Sequence, residues 1–337
     1  MTARPQGEES ALRIRTLEIL PSVIGPGLPH DEALPALAAL AAKGLGAIPA
    51  LGLDGRTAEF ILRGYTPGDR CALEVRVPGP GGSRFAIKAY AISPEPEASL
   101  YTALAEAGLT SGRGARVPRL LAWDPSLKVL VLEWLPGKSV NEVVKDGPAE
   151  RAGELGARWL RAAAGLSIPL GPPQDATRVL EESGRFLAML ESGDPALGAA
   201  GKRLIESLER SQPPVRVPHL VHGTLYTRHL FDADGNGAGP GIIDWQRFGQ
   251  GPLELDAGTF LATLCRTALL RPRRAPVVYR AEQAFRSETA GLLDERAVAW
   301  YEAAALLRLA GRMLRRRSAD RAAPLLATAA QLAGDAR

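Results

Sequence analysis

The chain has 337 residues, 46% hydrophobic and 23% charged, enough to bury a core without disulfide or metal staples. Its 41 Lys and Arg against 37 Asp and Glu give a net charge of +4, too mild for a nucleic-acid partner. No apolar run reaches the roughly 18 residues of a membrane span, and the charged start MTARPQGEESALRIR lacks the apolar stretch of a signal peptide. A cytoplasmic protein is expected, with no membrane partner. Cys71 and Cys265 are too far apart in sequence to suggest a disulfide framework, and both read as reduced, buried thiols.

In chain order, DEALPALAALAAKG (31–44) reads as a helix, acidic at its front and with Gly44 near its end. AEFILRGY (58–65), CALEVRV (71–77) and RFAIKAY (84–90) are short alternating or apolar runs separated by TPGD and PGPGGS, the pattern of an antiparallel meander. PEPEASLYTALAEAG (94–108) is a second helix. Two more strands follow at RLLAW (119–123) and KVLVLEW (128–134), split by the turn DPSL, before LPGKS breaks the chain. From 139 to about 210 the texture is helical. HLFDADGNGAGPGIID then predicts a small hairpin around a Gly-rich loop, and 252–335 is helical again. Strands gathered first and helices after them predict an α+β protein in two lobes, not an alternating parallel sheet. The boundary falls near 135: an N-terminal lobe of residues 1–135 and a helical lobe of 136–337.

Three places could carry chemistry. Lys88 sits mid-strand in RFAIKAY, with Glu95 and Glu97 on the following helix, either of which could be its partner. Asp244 ends the apolar strand GIID, where a carboxylate can point into a cleft and meet a hard cation. Between them in the sequence stretch lies VPHLVHGTLYTRHLF, with His222, Thr224 and His229. These are the parts phosphoryl transfer needs: a cation for phosphates, a carboxylate for a metal, and a group to orient the attacking hydroxyl. GYTPGDRCAL (64–73) reads equally as a turn over a nucleotide or as a plain hairpin turn, since it lacks the spaced glycines of a phosphate cradle. Asp256 reads as structural, capping a helix or holding the loop. His219 and His222 are too close in a turning segment for a helical zinc pair. The arginines of the last long helical run, Arg308, Arg312, Arg315, Arg316 and Arg317, read as a solvated face.

From about residue 58 onward the assembly resembles the aminoglycoside phosphotransferase-like family, relatives of the eukaryotic protein kinases. The resemblance rests on the strand lysine, the helix glutamate, LVLEWLPG as an interlobe hinge, the His-Gly loop and the IIDW strand. It implies a two-lobed protein-kinase-like fold, with a small antiparallel-sheet lobe and a mainly helical one, and ATP and Mg²⁺ between them. Lys88 would bind the α/β-phosphates and Glu97 would orient it. Glu133, Trp134 and Leu135 would meet adenine through backbone groups, and Asp244 would hold Mg²⁺. A small-molecule hydroxyl would be the acceptor. The family's loop has the form H-G-D-L-x-x-x-N. Here Thr224 stands for the Asp that would accept the hydroxyl proton, and His229 for the Asn that would bind a second metal. Loss of general-base assistance costs roughly 10²–10⁴-fold, or about 3–5 kcal/mol. Three readings follow: a small-molecule kinase with an altered centre, a pseudokinase that binds nucleotide or a protein partner without transfer, or an unrelated function on the same fold. Asp232 and Asp234 are the nearby carboxylates, both placed in the hairpin and pointing elsewhere.

Overall fold

The computed structural model describes residues 23–24, 27–79, 82–111, 114–233, 239–315 and 319–335. After a two-residue strand pair at Val23–Ile24 and Leu28–Pro29, helix α1 spans Pro35–Lys43. This helix is shorter than the expected 31–44. A residue ahead of proline is pushed out of the α region, so Leu34 cannot continue a helix into Pro35. Asp31 is used elsewhere: its Oδ2 accepts from the Tyr65 hydroxyl at 2.9 Å and from the Gly68 amide at 2.8 Å.

Five antiparallel strands follow the expected meander: β1 (Glu59–Thr66), β2 (Arg70–Val77), β3 (Ser83–Tyr90), β4 (Leu120–Asp124) and β5 (Val129–Glu133). They lie in the order β1-β2-β3-β5-β4. Side chains alternate between the two faces. Phe85, Ile87 and Ala89 pack with Leu37 and Leu40 of α1 on one face. Tyr90, Leu130 and Leu132 pack with Leu100, Tyr101 and Leu104 of α2 (Glu95–Glu106) on the other. The register that buries Ile87 under α1 thus turns Lys88 toward α2.

The remainder is mainly helical: α3 (Val140–Asp146), α4 (Ala149–Ala164), α5 (Ala176–Gly193), α6 (Pro195–Arg210), α7 (Leu253–Leu270), α8 (Ala275–Thr289), α9 (Glu295–Arg315) and α10 (Ala322–Asp335). Short strands lie among them: β6 (Lys138–Ser139), β7 (His219–Val221), β8 (Leu230–Asp232), β9 (Pro240–Ile242) and β10 (Gly249–Gly251). β8 and β9 form the expected hairpin, with Leu230 opposite Ile242, and β6 joins its edge. β7 pairs with β10 and closes the segment between them into a loop. None of the described helices is long and apolar enough to cross a membrane.

The helical part is packed closely enough for one glycine to matter. A Cβ on Gly153 of α4 would lie 2.0 Å from the Ala281 carbonyl oxygen and 2.7 Å from the Phe285 amide, both backbone atoms of α8. Gly153→Ala should therefore cost about 1–3 kcal/mol by overpacking, although alanine is the better helix former by about 1 kcal/mol. Gly184→Ala, exposed on α5 with no atom near its added Cβ, should stabilise by about 0.4–1 kcal/mol. Urea unfolding of the two variants tests the opposite signs.

Candidate active site

Lys88 points from β3 into the seam beneath α2. Its Nζ lies 2.7 Å from Glu97 Oε1 and 3.2 Å from Asp244 Oδ1. The lysine and glutamate side chains are sealed, at 10% and 6% exposure, whereas Asp244 keeps 38%. The Tyr90 hydroxyl donates to the other Glu97 oxygen at 2.6 Å. Glu97 is thus the partner, and Glu95 is exposed at the start of α2. Burial alone would drag the Lys88 ammonium down, but the Glu97 carboxylate, foremost among its neighbours, holds it well above its ordinary value.

The loop between β7 and β8 is fixed from below. Asp256 in the first turn of α7 accepts from the His222 amide at 2.7 Å and from the Gly223 amide at 2.9 Å. It holds the loop from within a helix, the second of the two roles its sequence context allowed. Gly223 has φ +72°, and a Cβ there would lie 2.1 Å from the Arg247 carbonyl oxygen, so only glycine fits. His222 is completely buried and packs on Trp245, with ring centroids 4.9 Å apart. Its Nε2 donates to the Ile243 carbonyl at 2.9 Å, and its Nδ1 accepts from the Thr224 amide at 3.3 Å. Both ring nitrogens are used within the frame. The Thr224 hydroxyl turns back to the same Nδ1, 3.4 Å away.

His229 is placed differently. Its Nδ1 donates to the Thr224 carbonyl at 2.9 Å, and its Nε2 faces Asp244 Oδ2 at 3.3 Å. Burial pushes the two imidazoles down, His222 to about 4 and His229 to about 3. Burial would raise the Asp244 carboxyl, but the Lys88 ammonium holds it below the usual carboxylate range. Asp244 also sits at φ +71°, a strained position for a residue other than glycine, of the kind that gathers at functional sites.

These groups open on a cavity of about 560 Å³ lined by Lys88, Arg228, His229 and Asp244 on one side and by Glu133, Trp134 and Leu135 on another. The β1–β2 turn residues Tyr65 and Thr66 also line it. Trp134 is held by Arg84, whose guanidinium sits 4.1 Å from its ring centroid. Arg84 in turn shares the buried Glu74 with Arg63 and Arg76. The Glu133 amide donates to the Arg119 carbonyl at 2.9 Å. Lys88, Glu97, Glu133, Trp134, Leu135, His229 and Asp244 therefore meet at this cavity or at its lysine. His222 and Thr224 lie behind it.

The arginines of α9 depart from the expected solvated face. Arg308 and Arg312 turn inward toward the buried Tyr226, each guanidinium 5.9 Å from its ring centroid, and Arg228 covers the ring at 4.6 Å. Arg312 Nη1 donates to the Tyr226 hydroxyl at 3.2 Å. The sequence signal was their i, i+4 spacing, which puts both on one helix face; what that face would meet depended on a tyrosine in a distant loop. The side chains of Arg315, Arg316 and Arg317 lie outside the described residues, as does Asp234. Asp232 is tied to Arg151 at 2.8 Å, pointing away from the centre. Cys71 is buried and Cys265 only half-buried.

A two-lobed, kinase-like fold with a buried lysine facing two carboxylates defines the class. A model of the phosphotransferase enzyme family matches residues 66–284, more than half of the chain, and the chain belongs to that family. No curated protein matches it. Among solved structures, a thermostable mutant of aminoglycoside phosphotransferase APH(4)-Ia aligns with a TM-score of 0.58 at 14% identity, covering 82% of this chain and 94% of that one. An ethanolamine kinase from Plasmodium vivax aligns at 0.56 and 10% identity, covering 86% of each chain. Spectinomycin phosphotransferase APH(9)-Ia, solved with ADP and spectinomycin, aligns at 0.55 and 16%, covering 82% of this chain and 93% of that one. At these identities the likeness establishes the fold.

Two measurements test the geometry. Lys88→Met leaves the Glu97 carboxylate buried without its cation and should cost about 3–5 kcal/mol. Adding Glu97→Leu should return much of that loss, as read by urea unfolding of the single and double variants. For pH, His222 and His229 stay neutral in the fold below the pH, about 6.5, at which they protonate in the unfolded chain. Their contribution therefore weakens stability as pH falls from about 6.5 toward 4 and 3 and is flat above it. Asp256 and Glu302, raised by burial to about 7 and about 8, act in the opposite sense. The histidine share is read by comparison: His229→Asn should lose less stability than the wild type between pH 7.5 and pH 5.

Proposed function

We propose that this chain binds ATP between a sheet lobe of residues 1–135 and a helical lobe of 136–337, and transfers its γ-phosphoryl group to a hydroxyl of a small molecule. The observation that carries the reading is the Lys88 ammonium, held between Glu97 and Asp244 at the wall of the cavity. Lys88 serves the α/β-phosphates, and Glu97 and Tyr90 fix its direction. Because the Glu133 amide is already spent on Arg119, adenine contact falls to the Glu133 carbonyl and to the backbone of Trp134 and Leu135. A divalent ion, when bound, neutralises charge on the phosphates. Asp244, ionised and open to the cavity, fits such an ion; the His229 imidazole suits hard Mg²⁺ poorly.

The reaction centre is altered in a specific way. Thr224 cannot act as a base near neutral pH, and its hydroxyl is directed at His222. Transfer then rests on positioning and charge stabilisation, which dominate when the transition state is loose. The same observation favours the second reading, a pseudokinase that binds nucleotide without transfer. The acceptor side also differs from that of a receptor for polycations: Arg228, Arg308 and Arg312 gather beside the loop. We therefore place aminoglycoside-like and other cationic amines last among candidate acceptors, although aligned structures carry such names. A cytoplasmic setting, where ATP is supplied, goes with this reading.

ADP release measured across a panel of neutral, anionic and cationic hydroxyl compounds tests the proposal. Substrate-dependent release above background is expected, and Thr224→Asp should raise it by roughly 10²–10⁴-fold. Nucleotide binding with no release from either protein would replace the kinase reading with the binding one.

A further inference from the structure

His229 and His222 sit a few residues apart, both buried, yet their nitrogens are used in opposite ways. In His222 one nitrogen donates to a backbone carbonyl and the other accepts from a backbone amide, so the ring is satisfied within the protein. In His229 the Nδ1 partner is the Thr224 carbonyl at 2.9 Å. A carbonyl oxygen can only accept, so Nδ1 carries the hydrogen and the neutral ring presents a lone pair at Nε2. That lone pair faces Asp244 Oδ2 at 3.3 Å. Two acceptors converge there, on the cavity wall, and each is oriented from behind: Nδ1 by the loop carbonyl, and the other Asp244 oxygen by Lys88 at 3.2 Å. An imidazole whose second nitrogen donates to a backbone carbonyl has the outer bonding of a metal ligand.

The spacing agrees. Two donors each about 2.1 Å from one ion lie about 3.0 Å apart at a right angle and about 3.4 Å apart at the tetrahedral angle. The observed 3.3 Å falls between. We propose that His229 Nε2 and Asp244 Oδ2 form a mixed nitrogen–oxygen site that selects a first-row transition ion, such as Mn²⁺, over Mg²⁺. Among the described residues no group of three or more His, Cys, Asp or Glu could hold an ion. The site is therefore two-ligand, with its remaining positions open to water and to phosphate oxygens. The physical basis is donor type: an amide or carboxylate oxygen in this position would suit Mg²⁺, whereas an imidazole nitrogen gains affinity along the transition series and little with Mg²⁺. The inference shares Asp244 with the proposed ATP site but does not require phosphoryl transfer.

The test is electron paramagnetic resonance of Mn²⁺ titrated into the full-length protein, alone and with ADP. The expected result is bound Mn²⁺ showing ¹⁴N coupling from an imidazole, lost in His229→Asn, with binding abolished in Asp244→Asn. Mg²⁺ should displace Mn²⁺ from His229→Asn at a concentration on the order of tenfold lower than from the wild type. The ¹⁴N signal is read in the wild type, so it stands even if a variant folds poorly; circular dichroism checks the variants. Bound Mn²⁺ without ¹⁴N coupling, equal displacement by Mg²⁺ from both proteins, or no Mn²⁺ bound at millimolar concentration would overturn the proposal. Failure of ADP to bind while Mn²⁺ shows the coupling would sink the ATP reading and leave this one standing.

Discussion

A lysine ammonium taken out of water must be paired, and that constraint organises this molecule. Lys88 is sealed at 10% exposure with Glu97 at 2.7 Å and Asp244 at 3.2 Å. The three charges come from three elements: a strand of the sheet, the helix packed on it, and the turn after β9 in the helical part. Removing the lysine leaves the buried Glu97 carboxylate without its cation, a penalty of about 3–5 kcal/mol. The sheet register, the docking of α2 and the approach of the helical part are therefore coupled through one ion cluster. Asp244 lies 156 positions from Lys88 in the sequence, so the cluster forms only when both parts have folded.

The loop around His222 shows a second division of labour. Its frame is built from Asp256 beneath two backbone amides, Gly223 in a left-handed turn, and His222 stacked on Trp245. The Asp256 carboxylate, the two amides and the His222 ring are satisfied within the protein and would hold the loop whatever side chain occupied position 224. Thr224 and His229 hang from that frame and can change without dismantling it. A chain can therefore keep a kinase-like loop geometry while the residues carried on it change, so the fold by itself does not fix the activity.

Much of this was legible in the sequence where the pattern was local. Alternation over 58–90 marked the meander, and its parity turned Lys88 away from the face that buries Ile87. Spacing along α2 left Glu95 and Glu97 as rivals; only the docking of the helix, which exposes Glu95, decided between them. What escaped were features made by distant partners. β6, β7 and β10 are two or three residues long and exist only through pairing with remote segments. The inward turn of Arg308 and Arg312 depends on Tyr226, more than 80 positions earlier. The opposite fates of His222 and His229 follow from which backbone groups each ring meets, and no periodicity records that.

The central claim, that the cavity beside Lys88 and Asp244 is a nucleotide site, is tested most directly by a thermal-shift titration with ATP, run with Mg²⁺ and again with Mn²⁺. The account predicts a saturable rise in melting temperature at up to millimolar ATP, by mass action on the folded state, and its loss in Lys88→Met measured against that variant's own baseline. No shift at millimolar ATP with either ion would contradict it.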